Sequence, residues 1–113
     1  MRLNQDIIRS LLLEAEGEEP VDLSPYSSEQ ITYHKVQLIE AQYVKGFIHS
    51  GLGNVIGAEI NDLTWEGHQF LANARNDTIW KGGMKHIAKI GGSVSIEVFK
   101  SLLTQLALDL IKR

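Results

Sequence analysis

Residues 43–71 read YVKGFIHSGLGNVIGAEINDLTWEGHQFL. The segments on either side of Gly51-Leu52-Gly53 are rich in β-branched and aromatic residues in loose alternation with polar ones, which is typical of strands. Two strands joined by a glycine-rich tip form a β-hairpin. Thr64 is a good helix N-cap, and an acid follows it in the first turn. The sequence therefore predicts a hairpin over residues 43–62 that leads directly into a helix.

Two helices and a short strand are predicted before this hairpin. Residues 4–16 carry an apolar stripe at helical spacing behind Asn4, a good N-cap residue. Residues 21–23 are predicted to form a short strand. A capping box of Ser27 with Gln30 then begins a second helix, which ends near residue 42.

Two more helices are predicted at the C-terminal end. The first spans residues 77–89 and is weakened by Gly82-Gly83 in its middle. Ser95 caps the second, which spans residues 96–112. The order of elements predicts an α+β fold.

The length and composition bound what the protein can be. With 113 residues the chain has the length of one domain, 43% of it hydrophobic, and it contains no cysteine for disulfides or thiolate metal sites. Its longest apolar runs have three residues, as at Leu11-Leu12-Leu13, and are far shorter than a membrane span. An acid soon after the N-terminus excludes a signal peptide. A soluble cytoplasmic protein without membrane contact is expected.

A helix, a hairpin and a helix that opens with Leu-Thr-x-x-Gly are the pattern of a winged helix. Here the last part is Leu63 to Gly67, and Gly67 is expected to allow a close approach of that helix to the sheet. The sequence thus predicts one winged-helix-like domain over residues 1–113. Its core covers residues 1–75, and a C-terminal helical extension covers residues 76–113.

Three blocks of sequence carry a resemblance to a known family. They are Ser28 to His34 with Glu40-Ala41, Leu63 to Trp80, and Gly91-Gly92-Ser93 with Glu97 to Lys100. On them the chain resembles a small family of bacterial and prophage-encoded proteins, a domain of unknown function with a winged-helix-like core. The resemblance covers nearly the whole chain and implies this fold and a phage or mobile-element context. It implies no activity.

The chain departs from the family's pattern in two places. Where the family ends its second helix in Ala-Gly-Leu, this chain has Ala41-Gln42-Tyr43, so we expect a turn that is less tight or shifted. The family's penultimate helix is charged and continuous. Here Lys81-Gly82-Gly83-Met84 interrupts it, so this helix need not be straight.

A winged helix that reads DNA places a helix in the major groove and its wing against phosphates. The outward side of the second predicted helix and the hairpin supply the candidate DNA-binding residues, which are Thr32, Tyr33, Lys35, Gln37, Lys45 and Asn54. The charges on that helix, Glu29, Lys35 and Glu40, sum to −1, and the whole chain carries −3. This is a poor match to a polyanion. A protein-interaction module that does not bind DNA therefore stays open beside a DNA-binding transcription regulator.

The last predicted helix has more apolar surface than one core requires. The candidate interface of a twofold homodimer comprises Phe99, Leu103, Leu106 and Leu110. The alternative is a central helix covered on all sides within one monomer.

No motif of an enzyme is present. The chain lacks a nucleophile elbow, a phosphate loop and a zinc-binding His-Glu-x-x-His, so no catalytic, cofactor or metal residue is predicted. His34 and His68 are expected to be structural partners of nearby polar groups. Trp65, Phe70, Trp80 and Phe99 are expected to pack on one another and on the hairpin.

Overall fold

The computed structural model describes residues 2–17, 21–91 and 93–112. Within them the chain forms five α-helices and one two-stranded antiparallel sheet. The elements are α1 (Gln5–Ala15), α2 (Ser28–Glu40), β1 (Val44–Gly51), β2 (Asn54–Leu63), α3 (Trp65–Ala74), α4 (Asp77–Ile90) and α5 (Ile96–Ile111). The predicted α+β class is confirmed, and the arrangement is compatible with a winged-helix-like fold.

Each of these helices begins at a polar side chain that accepts a hydrogen bond from the backbone of its first turn. The predicted caps are confirmed at Asn4, Ser27, Thr64 and Ser95. The fifth cap, Asn76 of α4, is absent from the prediction, and its Oδ1 accepts from the Ile79 amide at 3.1 Å. Because each such cap stabilises a helix by about 1 kcal/mol, these side chains set where the helices start.

The strand predicted at residues 21–23 is wrong. These residues have no regular secondary structure. The Asp22 carboxylate accepts from the Ser24 amide at 3.0 Å and from the Ser24 hydroxyl at 2.6 Å. An aspartate that bonds the backbone two residues ahead stabilises a turn, and this local bond competes with strand pairing.

The turn between α2 and β1 is tight and unshifted, contrary to the prediction. Gln42 has a left-handed φ of 65°. Its amide donates to the Ile39 carbonyl at 3.1 Å, and the Tyr43 amide donates to the Leu38 carbonyl at 3.0 Å. These two bonds form a Schellman motif, and the apolar residues that accompany it, Leu38 and Tyr43, are both buried. The bonds and the burial hold the turn in place, so glutamine occupies a position that glycine would take without strain.

Helix α4 runs without interruption through its two glycines. A Cβ atom at Gly83 would lie 2.8 Å from Leu103 Cδ2 and 3.1 Å from the Phe99 ring. The glycine therefore lets α5 approach α4 closely, and this packing outweighs its low helix propensity. At Gly67 a Cβ would collide with the Tyr43 carbonyl, which confirms the close approach predicted there.

One apolar core joins the predicted core region to the C-terminal extension. Phe70 of α3 lies 6.3 Å from Phe99 of α5, and Trp80 of α4 meets the same ring edge-on at 5.2 Å, both between ring centroids. The largest fully buried side chains are Ile7, Ile8, Leu11, Leu12, His34, Leu38, Phe70, Leu71, Phe99 and Leu103. The apolar ones each contribute about 1.5–3 kcal/mol of transfer free energy. Trp65, predicted to join this cluster, is 72% exposed because the first turn of α3 faces solvent.

The hairpin is confirmed, and its tip is a two-residue turn. Gly51 pairs with Asn54 across it, and Leu52 and Gly53 both have positive φ, 53° and 82°. Two such residues match the type I′ geometry that suits twisted strands. Over residues 2–17, 21–91 and 93–112, none of the helices combines the length and the apolar character that a bilayer crossing requires.

Candidate functional site

A groove lies between α2 and the first residues of β2, next to the tip of the hairpin. It has a volume of 390 Å³. Its lining consists of Ser28, Glu29, Thr32, Tyr33, Val36, Val55 and Ile56. The walls are mostly apolar, and two of the predicted DNA-reading residues, Thr32 and Tyr33, belong to them.

A β-bulge shapes the β2 wall of this groove. His49 pairs with Gly57 and Ser50 pairs with Val55, so Ile56 has no partner on β1. In a regular strand, neighbouring side chains point to opposite faces. Val55 and Ile56 are consecutive, yet both line the groove. Bulges redirect side chains in this way and recur next to functional sites.

The hairpin as a whole exposes large apolar side chains. We call residues 44–63 the arm. Phe47 is 63% exposed, Ile56 is 72% exposed, and Leu52 at the tip is fully exposed. Scattered single hydrophobic residues are normal on a surface, whereas a group on one element suggests an interaction surface.

The charges on α2 and the arm do not favour a polyanion. Over residues 28–63 the chain has four acids, Glu29, Glu40, Glu59 and Asp62, against Lys35 and Lys45. His49 is already engaged, because its Nε2 lies 3.1 Å from Glu59 Oε2. A DNA phosphate approaching this surface would meet net negative charge.

The predicted DNA-binding residues are spread over more than one place. Lys35 and Gln37 are partly exposed on α2 outside the groove lining, Lys45 is exposed near the base of β1, and Asn54 is exposed at the tip. The groove residues that the prediction missed are Ser28, Glu29, Val36, Val55 and Ile56. One signal was available: Val55-Ile56 is an apolar pair that breaks the alternation of an otherwise solvated strand.

His34 is structural, as predicted. It has no exposed surface, its Nδ1 lies 2.6 Å from the Gln30 carbonyl, and its Nε2 lies 2.7 Å from the Asn4 amide. The amide can only donate and the carbonyl can only accept, so these partners select the neutral ring with its proton on Nδ1. Burial lowers the pKa of His34 below its ordinary value. The ring connects the start of α1 to α2.

His68 also has a polar partner. Its Nδ1 lies 3.3 Å from Glu16 Oε2, and its side chain is about half exposed. Within the described residues, no group of three or more His, Asp and Glu side chains is placed to hold a metal ion.

The candidate dimer residues separate into two groups. Phe99 and Leu103 have no exposed surface in a single chain, because α3 and α4 cover them, so they offer nothing to a partner. Leu106 is partly buried and Leu110 is 38% exposed. Three exposed apolar residues of α5 are absent from the predicted interface, namely Val98, Leu108 and Ile111.

Comparison with known families finds one that matches most of the chain. The family described as Hypothetical protein (DUF2513) matches residues 2–93. The chain belongs to the DUF2513 family. In this DUF2513 chain the matched region contains α2, the arm and the groove, whereas the whole of α5 follows it.

A second comparison finds a relative of similar length. A protein of Haemophilus influenzae (strain ATCC 51907 / DSM 11121 / KW20 / Rd), described as an uncharacterized protein, is 30% identical over 109 residues. The alignment covers 90% of this DUF2513 chain and 92% of that protein. No solved structure matches the chain.

Proposed function

We propose that this chain is a non-enzymatic protein-interaction module that binds its partner on the arm and the groove beside α2. The observation that carries the proposal is the exposed apolar surface of the arm, with Ile56 redirected by a bulge into the groove. Burial of apolar side chains such as these supplies much of the free energy of protein association.

The charge of the same surface argues against the DNA-binding alternative. A duplex binder gains most of its affinity from cations that meet phosphates. Lys35 and Lys45 are the two lysines that α2 and the arm provide, and four acids accompany them. The polar residues on α2 can touch bases, but they do not offset this charge.

The test of the function is binding to a mixed-sequence DNA duplex at low salt, measured by fluorescence anisotropy. We expect no saturable binding by the wild-type chain. Saturable binding that is lost in both Lys35→Glu and Lys45→Glu, with an unchanged melting temperature, would favour the DNA-binding alternative. Binding that survives both substitutions would place DNA on another surface and also contradict the proposal.

The winged-helix core and the genetic setting are further parts of the proposal. The sequence of α2, arm and α3 supports a core in which the arm corresponds to the wing. The resemblance to prophage-encoded proteins supports a phage or mobile-element context. Neighbouring genes check this setting: an integrase or repressor gene would favour regulation, and defence genes would favour a protein target.

A twofold homodimer is also proposed. The exposed apolar residues in the last turns of α5, Leu108, Leu110 and Ile111, support a contact there.

A further inference from the structure

We infer that the groove between α2 and β2 binds an apolar anchor side chain of a positively charged segment of a partner protein. The inference rests on the proposed protein-binding function and specifies the chemistry of the partner.

The first argument is the shape of the groove. The bulge leaves Ile56 without a cross-strand partner and brings it beside Val55, opposite Val36 and Tyr33 of α2. A volume of 390 Å³ bounded by aliphatic and aromatic groups fits a large apolar side chain together with its neighbours. Ile56 is 72% exposed, so an incoming side chain can cover it without any rearrangement of the core.

The second argument is the charge at one end of the groove. Glu29 is the charged residue of the lining, and it is exposed in the first turn of α2. Among the residues that the structure describes, no cation is paired with its carboxylate. The surrounding surface, residues 28–63, is also net negative. A cationic segment is therefore attracted to the groove and an anionic one is repelled.

The third argument concerns how the partner is held. An exposed strand edge can bind a partner by adding a strand. In β2, however, the pairing skips both Ile56 and Asn61. Bulges of this kind disrupt a strand edge and protect it from pairing with another strand. The partner is therefore held by its side chains in the groove and not by an extension of the sheet.

The experiment uses the full chain, immobilised, and a library of random twelve-residue peptides displayed on phage. We expect the enriched peptides to be net positive and to share at least one large aliphatic or aromatic residue. Individual peptides are then measured by fluorescence anisotropy against variants. Ile56→Glu is expected to weaken binding by at least about tenfold. Glu29→Gln is expected to weaken it by about threefold.

The matched control is Ile90→Glu. Ile90 lies at the end of α4 and is 70% exposed, nearly the same as Ile56, so the same substitution is made at the same exposure outside the groove. Peptide binding is expected to be unchanged in this variant. Ile56→Glu should also keep the wild-type melting temperature, because the side chain it replaces is mostly in solvent; Val55→Asp serves as a second groove variant.

The outcomes separate the inference from the proposed function. Enriched neutral or acidic peptides that still require Ile56 would overturn the charge of the partner and leave protein binding in place. Peptides that bind wild type and Ile56→Glu equally would overturn the groove. Absence of any enriched peptide, together with saturable binding to duplex DNA, would overturn both.

The experiment also tests whether a second copy of the chain occupies the groove. Ile90 follows Lys89, so the chain itself carries an exposed apolar residue beside a cation. Sedimentation velocity of Ile90→Glu is expected to match that of wild type. A loss of self-association in Ile90→Glu and in Ile56→Glu alike would identify a second copy as the occupant and overturn the inference of a separate partner.

Discussion

His34 shows how one buried side chain makes the N-terminal helix depend on protonation. The ring accepts from the Asn4 amide and lies beside the Gln30 carbonyl, so a second ring proton would point at an N–H group that can only donate. Burial lowers the pKa of His34, which means that the unfolded chain binds a proton more readily than the folded chain.

This gives the first prediction. The contribution of neutral His34 to the free energy of unfolding is fully present above its ordinary pKa of about 6.5 and is lost as the pH falls through the lowered value. Urea unfolding of wild type and His34→Gln should therefore differ more at pH 7.5 than at pH 5. The control is His86→Gln, which makes the same substitution at an exposed position and should change the free energy of unfolding by less than about 0.5 kcal/mol at either pH. Parallel curves for wild type and His34→Gln would contradict the prediction.

Gln42 shows that the type of a single residue does not determine the geometry of its turn. The resemblance described in the sequence analysis implies a glycine at this position, and the glutamine found there predicts a looser turn. The structure keeps the tight turn, because burial of Leu38 and Tyr43 and two backbone bonds hold the chain there. A left-handed residue other than glycine costs about 1–2 kcal/mol, which is less than the loss of those interactions. The outcome depends on tertiary packing that no local pattern displays.

At the scale of elements, the contact between α4 and α5 depends on a missing side chain. A Cβ at position 83 would press on Leu103 and Phe99, both fully buried and unable to move far. We predict that Gly83→Ala lowers the free energy of unfolding by about 1–3 kcal/mol in spite of the better helix propensity of alanine.

Gly82→Ala is the matched control for this prediction, since it makes the same change one residue away. There the nearest atom is Leu106 Cδ1 at 3.3 Å, the end of a flexible and only partly buried side chain. The helix propensity gain of up to about 1 kcal/mol should then leave this variant neutral or more stable. Chemical unfolding measures both variants, and equal destabilisation of the two would show that the glycines matter for another reason.

The elements themselves are largely predictable from the sequence, whereas the groove is not. Helix starts follow from single polar residues such as Thr64 and Ser95, and the hairpin follows from its tip, because these are local signals. The bulge at Ile56 depends on the register between two strands, which the residues of one strand do not determine. Trp65 is predicted to pack in the aromatic cluster but is exposed to solvent. Its exposure depends on which element covers the first turn of α3, and the sequence of one helix does not show this.

At the scale of the whole molecule, exposed apolar side chains form groups on the arm and in the last turns of α5. Helix α5 exposes apolar side chains such as Leu108 and Ile111, whereas Phe99 and Leu103 of the predicted interface face the core. The helical pattern alone cannot say which of several apolar faces a neighbouring helix covers.

This leads to the prediction on oligomeric state. We expect the wild-type chain to sediment as a dimer and Leu110→Glu to sediment as a monomer with unchanged helix content. Leu110 is 38% exposed, so a carboxylate at this position can be solvated in the monomer but not within an apolar interface. The comparison variant is Thr104→Glu, an exposed polar position on the same helix. A dimer that persists in Leu110→Glu would place the contact elsewhere.

The turn at the end of the arm also makes the chain easy to observe. Leu52 sits there entirely in solvent with a left-handed backbone, so the fold gains little from its side chain. The chain has no thiol of its own. Leu52→Cys would therefore carry a single spin label or fluorophore at the outermost point of the hairpin. The mobility of this label would decrease when a partner binds the hairpin.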